Sequence, residues 1–125
     1  ILIKPRLDIS EKFMDIKYVK DELTLLKNFL NGYKRVQNLL DSNQTYEIAY
    51  ECDIIAEKFL KIRYKTIYLR EFYFLRNILT QYDNIPFSDI KERDKQVVLD
   101  KIKENINILN KKIQYLEFKL KKLDS

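Results

Sequence analysis

The chain has no histidine, no tryptophan, one glycine (Gly32), one cysteine (Cys52) and two prolines, Pro5 and Pro86, in 125 residues. Each scarcity excludes something. Without imidazole there is no Ser-His-Asp or Cys-His catalytic arrangement and no usual zinc site. A P-loop or a dinucleotide fingerprint needs several glycines at fixed spacing, and one is not enough. An all-β chain uses Gly and Pro in its frequent turns, which this chain cannot supply, so long helices are favoured. A single cysteine forms no intrachain disulfide. Cys52 stands among apolar residues and reads as a small core side chain. A reactive thiol wants a basic, partly exposed site.

Long apolar runs are missing too. No stretch of 18 apolar residues exists, so no membrane span is expected. No signal peptide is visible. The first residue is Ile rather than Met, so the start is read as missing. An intracellular location is the expectation, and secretion stays open.

What remains is ordinary for one globular domain: 46% hydrophobic residues, 34% charged, a net charge of +5 and a pI near 9.2. A mildly basic balance permits contact with nucleic acid or an acidic partner without demanding either.

Residues 1–9 read as a lead-in because Pro5 argues against a helix there. Asp8 with Glu11 has capping-box spacing, and Ser10 is a rival cap. Residues 10–125 read as a single helical domain. Phe13, Ile16, Val19, Leu23, Leu26, Leu30 and Tyr33 recur at steps of three and four, the apolar face of a first helix. Asn31-Gly32 reads as a stop or kink, with a short helix over 34–41; one continuous helix is the alternative. Asp41 to Gln44 is a loop. A long helix is then expected over about 44–80. Its stripes are Ile48, Cys52, Ile55, Phe59, Ile62, Thr66, Leu69 and Tyr73 on one face, with Ala49, Ala56, Leu60, Ile67, Phe74 and Ile78 on another. Gln81 to Ser88 is the next loop, with Ser88 or Asp89 expected to cap the last helix. There Leu99, Ile102, Ile106, Leu109, Ile113, Leu116, Leu120 and Leu123 keep a heptad seam.

Candidate chemistry is sparse. Glu47, Glu51, Asp53 and Glu57 lie on adjacent turns, but di-iron bundles pair such glutamates with His, which is absent. A solvated acidic stripe is the plain reading. No metal, cofactor, catalytic residue or small-molecule substrate is expected. In 58–76 six basic residues stand against Glu71, with Tyr64, Tyr68, Phe72, Tyr73 and Phe74 interleaved. Lys58, Lys61 and Lys65 share a face of one helix, and with Arg70 they form a candidate nucleic-acid ridge. The plain reading is a solvated face over core aromatics. The heptad helix outruns the first helix. Leu109, Ile113, Leu116 and Leu120 are therefore candidate interface residues, facing another chain or packing within this one.

The segment ECDIIAEKFLKIRYKTIYLR (51–70) resembles the central helix of GINS subunits, the scaffold complex of the archaeal and eukaryotic replicative helicase. The matching features are Phe59-Leu60, Arg63 and Ile67, preceded by Ile54, Ile55 and Ala56, with Ser88 to Glu92 resembling the start of the following helix. The small β-domain such subunits usually carry has no counterpart. The resemblance implies a structural role in DNA replication, with Phe59, Leu60, Arg63 and Ile67 at or near a contact between subunits.

The expectation is therefore an all-α bundle of three to four helices, with a long central helix and a long C-terminal heptad helix that gives coiled-coil packing. The function expected is non-enzymatic: a scaffold module forming homo- or hetero-oligomers through helical faces. Nucleic-acid binding is one alternative. A secreted or surface microbial module that binds a host protein is another.

Overall fold

A computed structural model describes residues 4–61 and 67–124, with side chains described over 14–58 and 70–124. Four helices follow in order: α1 (Lys4–Leu39), α2 (Thr45–Lys61), α3 (Ile67–Leu79) and α4 (Glu92–Asp124). A 3-10 turn, Phe87–Asp89, precedes α4. No strand occurs among the described residues; Gln44 and Pro86 form one isolated antiparallel bridge. The all-α bundle is as expected.

Four boundaries differ from the sequence reading. Helix α1 already runs at Lys4, so the described part of the lead-in is helical. Pro5 falls in the first turn, where a backbone N–H has no partner to lose. Asp8 and Glu11 then lie inside the helix and do not begin it. Gly32 does not stop the helix, which runs unbroken to Leu39. The long central helix is instead two, α2 and α3. Finally, α4 starts at Glu92, so Ser88 and Asp89 belong to the turn before it and do not cap it.

The helices alternate in direction. Arg35 of α1 pairs with Glu51 of α2, and one groove runs from there to Asn28 and Lys58, so α1 and α2 are antiparallel. Arg76 Nη1 donates to Asp53 Oδ1 at 2.8 Å, while Thr45 lies beside Ile85, so α3 and the loop after it run back along α2. Tyr82 donates to Asp94 and Lys101 Nζ lies 3.7 Å from Glu71, so α4 reverses again. Three reversals return α4 along α1 in the opposite sense, and these two share the most extensive helix contact.

One end of the bundle is locked by its loops. Asn43 closes α1, its backbone N–H and Nδ2 both donating to Leu39 O at 3.1 and 3.2 Å. Gln44 N–H donates to Glu47 Oε2 at 3.4 Å, the reach-back half of a capping box. Asn84, held at φ 48°, accepts from Tyr46 N–H through Oδ1 at 3.3 Å and so caps α2 from the distant loop. Thr45 N–H donates to Ile85 O at 2.9 Å, and Phe87 N–H to Asn43 O at 3.4 Å.

The core runs down the bundle axis. Phe29, Tyr33, Ile48, Phe72, Leu75, Leu79, Ile102 and Leu109 are fully buried. Phe72 stacks on Tyr33 with ring centroids 4.2 Å apart and lies 6.4 Å from Phe29. Gly32 lies under this cluster. A Cβ there would sit 3.0 Å from Ile55 Cγ2 and 3.1 Å from Phe72 Cζ. The glycine serves close approach of three helices, not a turn.

Candidate protein-interaction surface

The helices differ greatly in length. At about 1.5 Å per residue, α1 and α4 are about 50 Å long, whereas α2 is about 25 Å. Continuing the pairing that places Arg35 by Glu51, the end of α2 at Lys61 falls level with Leu25. Likewise, Lys101 by Glu71 places the start of α3 level with Asn105. Among the described residues α1 and α4 continue beyond those levels as a two-helix arm, with Leu23 and Lys27 opposite Glu117 to Asp124. Val19, Leu23 and Leu26 of α1 and Leu109 and Ile113 of α4 form its buried seam. Asn105 lies at its inner end, with Nδ2 donating to Lys101 O at 2.8 Å.

A pair of helices covers only one face of each, and the outer faces here are not wholly polar. Met14, Tyr18, Tyr115 and Phe118 are 71, 67, 64 and 58% exposed. Tyr18 and Tyr115 line one groove with Glu22, Leu26, Lys112 and Leu116. On the other side of the seam, Leu23 and Lys27 face Glu117, Phe118, Leu120 and Lys121 across an open groove of about 630 Å³.

The heptad residues named from the sequence divide between two environments. Leu109 and Ile113 are buried within the chain at 0 and 6% exposure, so no partner reaches them while the arm stays closed. Leu116 and Leu120 are half-buried at the edges of the two grooves. The side chains of Phe59, Leu60, Lys61, Arg63, Lys65 and Ile67 lie outside the described residues. The basic ridge drawn on one long helix is nevertheless altered, because α2 ends at Lys61 and α3 begins at Ile67. Lys58 and Arg70, both exposed, stand on different helices. Met14, Tyr18, Tyr115 and Phe118 escaped the sequence reading. The available signal was the second spacing of three and four on α4, hidden by the stronger seam beside it.

The remaining polar features have local explanations. The acidic stripe is dispersed: Glu47 reaches back to Gln44, Glu51 pairs with Arg35, and Asp53 pairs with Arg76. Among the described residues no group of acids and cysteine is placed to hold a metal. Cys52 is buried, and burial first, then the charges of Asp53 and Glu51, push its thiol up to about 12. No described helix is long and apolar enough to cross a membrane. Comparison with protein-family models, curated proteins and solved structures finds no match.

Proposed function

We infer that the protein is a non-enzymatic interaction module, a scaffold subunit that engages another protein through the α1/α4 arm. One observation carries this reading. Of the nine exposed large hydrophobic side chains among the described residues, five (Met14, Tyr18, Ile108, Tyr115 and Phe118) lie on the arm. Scattered apolar side chains on a surface are ordinary, but a concentration on a projecting element marks a contact. Tyr and Phe bring large area at low entropy cost, as contact residues do.

The test is site-specific photocrosslinking in the cells that make the protein. A benzophenone amino acid at Tyr115 or Phe118 should give one discrete heavier species. The same group at Tyr50, exposed on α2 away from the arm, should give none. Equal crosslinking from all three positions would refute the reading.

Service as a GINS-like replication subunit is a narrower form of the same proposal. The segment that carries the resemblance is divided between α2 and α3, so that form stands on its own test. The chain should assemble with purified GINS partner subunits into a complex of defined mass, and a mixture that elutes as separate components would remove it.

A further inference from the structure

The outward face of α4 carries a second heptad line. Ile108, Lys111, Tyr115, Phe118 and Lys122 follow at steps of three, four, three and four, roughly opposite the seam residues Ile102, Leu109 and Ile113. Exposure follows this division: Ile108 is 38% exposed on the outer line, and Leu109, its neighbour in sequence, is 0% exposed on the seam. From Ile108 to Lys122 the line spans about 21 Å.

The charges on this stretch are sorted by face. Between residues 111 and 124, five lysines stand against Glu117 and Asp124. Both acids line the groove beside the seam with Lys27 and Lys121. Lys111, Lys119 and Lys122 are exposed on the outer side, with Lys122 Nζ 4.8 Å from the Phe118 ring. The outer line is therefore aromatic and apolar, with cations along it.

We propose that this line docks an amphipathic helix of a partner protein whose apolar ridge is flanked by Asp and Glu. This rests on the reading of the arm as an interface and adds the partner's chemistry. The cations call for acids on the partner. The line is one residue wide and heptad-spaced, the width of a coiled-coil seam, with Ile108, Tyr115 and Phe118 as its apolar members. A membrane-seated helix presents a broader apolar face than this. A second copy of this chain would set lysine against lysine.

The experiment uses the full chain and two model helices of about four heptads, both with Leu at the core positions. One carries Glu at the flanking positions and the other Lys. Fluorescence anisotropy should show the Glu-flanked helix binding at least about tenfold tighter, with affinity falling as salt rises. Tyr115→Asp with Phe118→Asp should abolish that binding. Lys111→Glu with Lys122→Glu should reverse the preference. Both variants should keep the thermal melt of the parent.

Three outcomes would overturn the proposal: equal or absent binding of the two helices, or tight binding to oligo-dT or phosphatidylserine vesicles that the Tyr115 and Phe118 changes abolish, or a dimer by light scattering that those changes dissolve. If crosslinking from 115 and 118 persists while the helices are not distinguished, the partner chemistry fails and the arm stands. If crosslinking also fails, both readings fall.

Discussion

Replacing Gly32 by Ala sets two known effects against each other at one methyl group. Gly32 is in the interior of α1, where Ala is favoured over Gly by about 1 kcal/mol on propensity alone. The methyl would arrive 3.0 Å from Ile55 Cγ2 and 3.1 Å from Phe72 Cζ. Carbon pairs are comfortable at about 3.5–4.0 Å, so something must move by roughly half an ångström. Phe72 is fully buried and stacked on Tyr33, so the ring has no open space to enter; Ile55 is buried too, though it borders the groove between Asn28 and Lys58. Overpacking of this kind costs about 1–3 kcal/mol. The strain outweighs the propensity gain, and the net is a loss of about 1 kcal/mol. With an unfolding entropy of about 2.1 cal/mol/K per residue, that is a fall in Tm of about 4 °C. Asn31→Ala is the control. It lies on the same helix but is exposed, and it should raise Tm by about 2 °C from propensity alone. Circular-dichroism melts of the two variants decide the matter. If Gly32→Ala stabilises as much as Asn31→Ala or more, the close approach of α1, α2 and α3 is wrong. A cycle with Phe72→Leu adds specificity, because the penalty of Gly32→Ala should shrink once the ring is gone.

Leu109→Asp places a charge at a fully buried seam position and should unfold the chain, whereas Phe118→Asp should change stability by less than about 0.5 kcal/mol; chemical denaturation reads both. Cys52 should be inert to a thiol reagent in the folded protein and react fully in denaturant. Burial pushes its thiol up to about 12, above the ordinary value of 9.0, so its contribution is complete below pH 9 and is lost as pH rises toward 12. Cys52→Ala should flatten that part of the stability profile relative to the parent. The Arg76–Asp53 pair is about a third exposed on each side, so a double-mutant cycle should give roughly 0.5–1 kcal/mol, decreasing with salt. A cycle value of zero at low salt would remove this pair as a tie between α2 and α3.

The scarcity of Gly and Pro and the three-and-four spacing of apolar residues determined by themselves that this chain is all-helical, because helix periodicity is local. The loops at 41–44 and 81–88 and the later part of the α4 seam were legible for the same reason, whereas Leu99, read as its first member, is 39% exposed and Val98 is buried in its place. The division of α2 from α3 leaves a trace in the sequence. The core of α2 is Ile48, Cys52 and Ile55, and that of α3 is Phe72, Leu75 and Leu79. Carrying the first stripe forward at the helical period reaches Tyr73, one residue out of phase with Phe72, and such a slip points to a break in the helix. With no Gly or Pro at that point, no strong local signal announced it.

Gly32 misled for the opposite reason. A glycine that ends a helix and one that admits a neighbouring ring look alike in sequence, and only the packing of Ile55 and Phe72 separates them. The tertiary structure alone decided which apolar residues stay exposed. Tyr115 and Leu109 are both apolar members of heptad lines on α4. The shortness of α2 and α3 leaves the arm with a single covered face, and α1 occupies the one that bears Leu109.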